Sequence, residues 1–249
     1  MRNRKCFVFT TFILLECGHI LVASVLLKNG ANVNAVNNSG ATALRAAVER
    51  GHVDVAALSL DNDAHIEARN KNGITPLNQA ASLGQLSCVA LLLDHGAKID
   101  AASNDGFTAL NIAAEFGHLA VVELLVKRGA DIELGELNGQ TPLMSAAFKN
   151  RIDVVRCLLD NGAKIDAKKN DGFTALHVAS QYGHIDVVKL LLERGANVHA
   201  VSKDACTALH LAGLNNRAGV AALLISRGAI VDAVANNGAT PLHAAAGQN

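Results

Sequence analysis

The sequence predicts an all-α solenoid, a stack of helix-turn-helix units of 33 residues joined by extended turns. The first observation is a Thr-Ala-Leu or Thr-Pro-Leu triplet that recurs every 33 residues, at Thr42, Thr75, Thr108, Thr141, Thr174, Thr207 and Thr240. The second is a glycine in phase with the triplet, at Gly30, Gly96, Gly129, Gly162, Gly195 and Gly228, with Asp63 in the remaining place. Because one such unit cannot bury its own apolar faces, it requires a copy on each side.

Residues 171–203 show the two helices of a unit most clearly. Thr174 is a predicted N-cap for a helix over residues 175–182, and Gly183 ends that helix. Apolar residues at helical spacing predict a second helix from about Ile185 to Arg194. Gly195 then ends it, because glycine readily adopts positive φ.

The period divides the chain into six full units and a partial one. We place the full units at residues 39–71, 72–104, 105–137, 138–170, 171–203 and 204–236, and the partial unit at 237–249. The three prolines, Pro76, Pro142 and Pro241, each follow a capping threonine directly. This is the first helical turn, where the missing N–H does no harm, so the prolines support the register.

Two units depart from the pattern, and each departure predicts a loss of stability. Ser59 replaces a recurrent leucine, which removes about 2 kcal/mol of apolar burial. Asp63 replaces a glycine at a left-handed position, at a cost of about 1 kcal/mol. Gly213 and Gly219 lie in predicted helices, where each costs up to about 1 kcal/mol. Drift in a tolerant array explains the weak unit at residues 39–71, and a hinge is the alternative.

Residues 1–38 are predicted to be a degenerate first repeat that acts as an apolar N-terminal cap. From Gly18 onward they match the second half of a unit in phase. The alternative is a signal peptide or membrane anchor in residues 1–17, which are first basic and then apolar. Glu16 and His19 interrupt the apolar run, which is therefore too short to span a bilayer.

The period of 33, the T-P-L-H-x-A pattern and the helix-turn-helix unit resemble the ankyrin repeat. The stretch GHIDVVKLLLERGA at residues 183–196 matches that family's pattern nearly in full. The resemblance covers about residues 6–249, and it implies an ankyrin-repeat solenoid with β-hairpin-like turns. It also implies a protein–protein interaction scaffold that binds its partner through a concave groove. The alternative function is a targeting or regulatory segment of a larger enzyme, channel or ubiquitin-ligase adaptor.

Composition narrows the class of protein further. The 22 basic and 22 acidic residues argue against nucleic acid as a partner, since phosphate binding requires an excess of positive charge. The five cysteines form no C-x-x-C pair, which argues against a zinc site and favours a reducing compartment. No nucleotide-binding, metalloprotease or serine-hydrolase motif occurs. We expect a cytoplasmic or nuclear monomer with no membrane span, no cofactor and no enzymatic activity.

Most of the histidines recur at the repeat period, which favours a structural role over catalysis or metal binding. They either follow the threonine triplet or follow the end of a first helix, at His177, His210, His243, His19, His52, His118 and His184. The resemblance implies that such histidines form hydrogen bonds with neighbouring loops.

The aromatic residues point to a binding surface, because those beyond residue 12 lie outside the predicted core. They lie directly before the threonine or near the end of a first helix, at Phe107, Phe116, Phe148, Phe173 and Tyr182. The resemblance places these positions on the concave groove. Since aromatic side chains dominate protein interfaces, we predict a binding surface on residues 105–203, with Glu115, Lys149 and Gln181 as its polar rim. Packing of these rings against neighbouring turns is the alternative.

Overall fold

The computed structural model describes residues 19–38 and 40–247, which contain fourteen α-helices and no β-strand. The helices are α1 Ile20–Lys28, α2 Ala43–Arg50, α3 Val53–Leu60, α4 Pro76–Ser82, α5 Leu86–Asp94, α6 Ala109–Phe116, α7 Leu119–Lys127, α8 Pro142–Phe148, α9 Ile152–Asp160, α10 Ala175–Tyr182, α11 Ile185–Glu193, α12 Ala208–Leu214, α13 Ala218–Ser226 and α14 Pro241–Ala246. Even-numbered helices are the first helices of the repeats, and odd-numbered helices are the second. None of the helices in the described residues is both long and apolar enough to cross a membrane. The two interpretations of residues 1–17 lie outside the described residues.

Most first helices begin directly after a threonine whose side chain accepts a hydrogen bond from an N–H group left free by the first turn. At the start of α4, Thr75 Oγ1 accepts a hydrogen bond from the Asn78 N–H at 3.2 Å. In return, Asn78 Oδ1 accepts one from the Thr75 N–H at 3.0 Å. Prolines occupy the first turn of α4, α8 and α14. The predicted helix starts are therefore confirmed.

Most helices are followed within three residues by a residue with positive φ, as the sequence pattern predicted. Gly183 ends α10 with φ 79°, and Gly195 follows α11 with φ 91°. Asp63 takes the place of this second glycine and has φ 61°, in the left-handed region that a carboxylate side chain tolerates. An aspartate at this position is consequently compatible with the turn, and its cost in stability stays a prediction.

The described chain forms two compact units, each a stack of helix pairs. The first contains residues up to Ala113 together with Glu123–Ala130, and the second contains Ala114–Val122 together with residues from Asp131 onward. In the first unit, α2 packs on α4, and α3 packs on both α1 and α5. In the second unit, α10 packs on α8 and α12, α12 packs on α14, and α11 packs on α9 and α13. First helices therefore stack on first helices, and second helices on second helices.

Two buried serines in the described residues differ in whether their hydroxyl groups form hydrogen bonds. Most second helices bury a leucine completely at one recurrent place, at Leu92, Leu125, Leu158, Leu191 and Leu224. Ser59 occupies this place in α3, is fully buried, and donates to the Val55 carbonyl at 2.8 Å, so the substitution loses apolar contact without leaving an unpaired group. In α10, Ser180 is also fully buried, but its hydroxyl has no hydrogen-bond partner among the described residues. An unpaired buried hydroxyl destabilises the fold.

The structure separates the two glycines that the sequence treats alike. A Cβ at Gly213 in α12 would lie 2.7 Å from the carbonyl oxygen of Pro241, so α14 approaches α12 too closely for any side chain. A Cβ at Gly219 in α13 would contact only Ile185 Cδ1, at 3.4 Å. Gly213 thus has a packing function, whereas Gly219 is a site where alanine fits with a small adjustment.

Candidate protein-binding surface

Buried histidines fix the starts of the first helices and link consecutive repeats. His177 Nδ1 accepts a hydrogen bond from the Thr174 N–H at 3.2 Å, and its Nε2 lies 3.1 Å from the Cys206 carbonyl oxygen in the next repeat. The same side-chain arrangement at His210 places Nε2 3.2 Å from the Ala239 carbonyl oxygen. The predicted hydrogen bonds to neighbouring loops are confirmed for these two residues.

The environment of His177 favours the neutral imidazole. Because the Thr174 N–H donates to Nδ1, the proton belongs on Nε2, which donates to the Cys206 carbonyl. Burial lowers the pKa of His177, and the hydrogen bond to Cys206 only partly opposes that shift. Among the described residues, no group of three His, Cys, Asp or Glu side chains is arranged to hold a metal ion.

The ends of the first helices in the second compact unit are held by the following repeat. Arg151 Nε donates to the Glu115 carbonyl at 3.1 Å, and Arg217 Nε donates to the Gln181 carbonyl at 3.2 Å. His184 Nε2 lies 2.9 Å from the Phe148 carbonyl oxygen and occupies the same place in its repeat. These contacts satisfy backbone carbonyls that helix ends leave free, and they fix the residues that present the aromatic rings.

Phe116, Phe148 and Tyr182, which we call the ring row, lie at the ends of α6, α8 and α10. The Phe148 and Tyr182 rings meet edge to face, with centroids 4.6 Å apart and an interplanar angle of 82°. Phe116 is 52% exposed and Tyr182 is 43% exposed, while Phe148 is half-buried. Phe116 and Tyr182 each stack on the histidine two residues later, at a centroid distance of 6.2 Å. The ring row is therefore ordered by contacts within the protein and still open to solvent.

The predicted polar rim contacts the ring row directly at one position. Lys149 Nζ lies 4.6 Å from the Phe148 ring centroid and 3.5 Å from Glu115 Oε1. Gln181 is half-buried beside Tyr182 in the sequence. Continuous contacts thus connect Glu115, Lys149, Phe148 and Tyr182 across three repeats.

The two phenylalanines that precede a threonine make contacts within their own repeats. Phe173 is half-buried, stacks on His177 at 5.3 Å between centroids, and has Lys169 Nζ 5.1 Å from its centroid. Phe107 belongs to the first compact unit, and its backbone exchanges hydrogen bonds with Ser103 in its own turn. The contacts of Phe173 favour the alternative of turn packing for that ring.

Two residues of this region were missed by the sequence analysis. Leu214 ends α12 at the place that Phe148 occupies in α8, and it is exposed; a search of that position for any apolar residue would have found it. Glu136 lies in the turn before α8 and is only 8% exposed. Its Oε1 accepts hydrogen bonds from Ser145 Oγ at 3.3 Å and from Gln140 Nε2 at 3.2 Å. Burial raises the pKa of Glu136, and the negative charge of Glu115 raises it as well.

Glu136 could not be recognised from the sequence, because the residues at the same position of the two preceding repeats stabilise only their own turns. Asn70 and Ser103 occupy that place, and their side chains accept hydrogen bonds from N–H groups of their own turn. A glutamate is longer, so it reaches past the turn to the side chain of Ser145 in α8. Only the folded turn shows which groups surround the carboxylate.

The fold and these contacts define a repeat protein made of stacked helix pairs. Family models described as ankyrin repeats match residues 14–58, 55–136 and 133–202, which together cover more than half of the chain. The chain therefore belongs to the ankyrin repeat family, and the predicted all-α ankyrin-repeat fold is confirmed. No curated protein matches the chain.

Among solved structures, the crystal structure of the human ASB11 ankyrin repeat domain is similar to this chain. It is 30% identical, with a TM-score of 0.79, and the match covers 87% of this chain and 96% of that one. Hundreds of solved chains match as well. The likeness to ASB11 consequently supports the fold and does not select a partner.

Proposed function

We propose that this protein is a non-catalytic scaffold that binds a protein partner through the ring row and its polar rim. Ankyrin repeats are protein–protein interaction modules, and that general role extends to this chain as a member of the family. The particular surface is our proposal. The observation that carries it is the exposure of Phe116 and Tyr182 at the ends of α6 and α10, the first helices of the repeats before and after that of Phe148.

The ring row has the properties that favour tight association. Aromatic side chains bury a large area and lose few rotamers, which explains their prevalence among residues that dominate binding energy. The edge-to-face contact of Phe148 with Tyr182 and the contact of His184 with the Phe148 carbonyl restrict this surface before binding. Such preorganisation reduces the entropy lost when a partner binds.

The neighbouring repeat enlarges the proposed surface. Leu214 supplies an exposed apolar side chain at the next first-helix end. Glu115, Lys149 and Gln181 supply the polar groups that usually surround the apolar centre of an interface. The proposed surface therefore continues over the first helices α6, α8, α10 and α12.

We also place the protein in a reducing compartment, the cytoplasm or the nucleus. In the part of the chain that the structure describes, Cys88 and Cys206 are free thiols. Free thiols persist where thiol-reducing systems operate, which supports this location. Expression of a tagged full chain and fractionation of the cells would test it, and recovery in the secreted fraction would contradict it.

The binding proposal is tested by affinity capture from cell extract with three forms of the full chain. The test form carries Phe116→Ala and Tyr182→Ala together. The control carries Leu137→Ala, which removes an apolar side chain that is 72% exposed but lies in a turn away from first-helix ends. We expect specific proteins to be captured by the wild type and the control and to be lost with the double variant.

Circular dichroism establishes that all three forms are equally helical. Capture of the same proteins by the double variant and the wild type would refute the proposed surface. Loss of the same proteins with Leu137→Ala would also refute it, because the effect would then not be specific to the ring row.

A further inference from the structure

One internal contact of the proposed surface resembles a bound ligand. Lys149 carries its ammonium over the Phe148 ring, 4.6 Å from the centroid, and 3.5 Å from Glu115 Oε1. The ring face attracts a cation through its quadrupole, and the carboxylate attracts it by charge. Together these two groups form a cation site, and a side chain of the protein itself occupies it.

The ammonium of Lys149 is held loosely. Its side chain is 43% exposed, and the 3.5 Å separation from Glu115 is longer than a strong charge-assisted hydrogen bond. Exposed ion pairs of this kind contribute little to stability, because water and salt screen them and ordering two long side chains is unfavourable. A competing cation could therefore displace Lys149 with little loss.

A second lysine, ring and carboxylate in the same compact unit provides a comparison. Lys169 lies 5.1 Å from the Phe173 centroid, but its Nζ is 2.9 Å from Asp171 Oδ2 and its side chain is only 20% exposed. Burial alone would raise the pKa of Asp171, yet hydrogen bonds from Lys169 and from the Phe173 N–H outweigh it and lower that pKa. This second group of residues is closed by its own contacts, whereas the site occupied by Lys149 is open.

The charges around the open site favour a cation at that position. Glu115 is only 23% exposed on its side chain, and its charge acts on the buried carboxyl of Glu136. The other nearby cation, Arg151, already donates its Nε to the Glu115 carbonyl. Removing Lys149 without a replacement would leave the Glu115 carboxylate without its cation. A partner that displaces Lys149 must therefore bring its own positive charge.

We infer that Lys149 is an internal substitute for a basic side chain of the partner, and that the partner segment places an arginine between Glu115 and the Phe148 ring. This inference rests on the proposed function, since it concerns the same surface. An arginine fits better than a lysine because its planar guanidinium stacks on a ring and binds a carboxylate through two N–H groups. The exposed rings of Phe116 and Tyr182 then contact large apolar side chains next to that arginine.

The inference is tested by selecting binders from a random twelve-residue peptide library displayed on phage, with the full chain immobilised. The best peptide is then synthesised with a fluorescein label, and its affinity is measured by fluorescence anisotropy. We expect the selected peptides to contain an arginine flanked by apolar residues. Glu115→Gln is expected to weaken binding at least about ten-fold, because it removes the charge that pairs with the arginine.

The decisive variant is Lys149→Ala, which removes the internal competitor. We expect it to strengthen binding about two- to ten-fold, the effect of an exposed ion pair and cation–π contact that no longer have to be broken. The matched control is Lys169→Ala, which removes a lysine from the closed group and should leave the affinity unchanged. Circular dichroism of each variant excludes a change of fold.

The outcomes separate the inference from the proposed function. Peptides that lose affinity with Tyr182→Ala but lack a basic residue, or are insensitive to Glu115→Gln, would overturn the inference and leave the proposed surface standing. Weaker binding with Lys149→Ala would also overturn the inference, since Lys149 would then contact the peptide itself. Peptides insensitive to both Phe116→Ala and Tyr182→Ala, or a library without binders, would count against the proposed surface and the inference together.

Discussion

Replacement of His177 tests how the repeats are linked and how that link responds to pH. The His177 ring is fully buried and connects the Thr174 N–H to the Cys206 carbonyl of the next repeat. His177→Ala leaves the Thr174 N–H buried without a partner and removes one of the two hydrogen bonds to the Cys206 carbonyl, which the Ser202 N–H also donates to. At about 1–3 kcal/mol for the unpaired N–H and about 1 kcal/mol for the lost hydrogen bond, the predicted loss is about 2–4 kcal/mol. His177→Asn should cost only about 1 kcal/mol, because an asparagine at the same position of another repeat pairs with the threonine N–H and with a different backbone carbonyl.

The model for that substitution is Asn78. Its Oδ1 accepts from the Thr75 N–H at 3.0 Å, and its Nδ2 donates to the Ala101 carbonyl at 3.2 Å. The counterpart of Ala101 in the repeat of His177 is Ala200, 23 residues after the histidine as Ala101 is 23 residues after Asn78. The amide introduced by His177→Asn therefore has both partners available.

The pH dependence follows from the lowered pKa of His177. As pH falls below the ordinary value of 6.5, the unfolded chain takes up a proton that the folded chain resists. The free energy of unfolding then decreases by up to about 1.4 kcal/mol per pH unit, until pH reaches the lower pKa of the folded state. Protonation would also place an N–H at Nδ1 against the Thr174 N–H, which is the physical reason for the loss. His177→Asn lacks this contribution.

The measurement is urea unfolding followed by circular dichroism at pH 7.5, 6.5 and 5.5, values spaced about one unit apart around the expected transition. The difference between wild type and His177→Asn isolates one group, since every other titrating residue is present in both. We expect the free energy of unfolding of His177→Asn to rise relative to that of the wild type as pH falls below 6.5. A difference that stays constant over the whole range would refute the reasoning, and so would a His177→Ala variant as stable as His177→Asn.

Three further predictions concern stability and are checked by thermal and urea unfolding. S180A should stabilise the protein by about 1 kcal/mol, because it removes an unpaired buried hydroxyl. S145A should destabilise the protein by about 1–2 kcal/mol, because it removes a hydroxyl that pairs with a buried carboxyl. Equal effects of the two substitutions would contradict the difference in hydrogen bonding between these serines. G213A should destabilise the protein, because its Cβ would collide with the backbone of α14. G219A should stabilise the protein by up to about 1 kcal/mol. A G213A variant more stable than G219A would refute the packing argument. D63G should stabilise by about 1 kcal/mol by relieving the left-handed strain, and no change in midpoint would show that the strain is negligible.

Local chemistry explains why the helices could be predicted from the sequence. The predicted helix at residues 175–182 and the observed Ala175–Tyr182 agree because threonine, glycine and apolar spacing act within one or two turns of chain. The second helix ends at Glu193, one residue before the prediction, which is within the ordinary fraying of helix ends. The structural function of His177 was also predictable, because its repetition in phase with the fold excluded a unique chemical role.

The candidate surface was predictable only in part. The sequence placed Phe116, Phe148 and Tyr182 outside the core, and the structure shows them at neighbouring first-helix ends. It treated Phe173 in the same way, although that ring packs on His177 in its own turn. The difference depends on the direction in which each side chain leaves the backbone, which the order of residues does not specify.

The sequence by itself determined the repeat length, the helix boundaries and the family, because each depends on residues that are close in the chain and recur in phase. Only the tertiary structure decided which glycine is required for helix packing and where the Lys149 ammonium lies. The Cβ of Gly213 is excluded by a carbonyl of the following helix, and the ammonium of Lys149 lies between Phe148 and a carboxylate of the preceding repeat. Such contacts join residues about 30 positions apart, and packing geometry sets their distances.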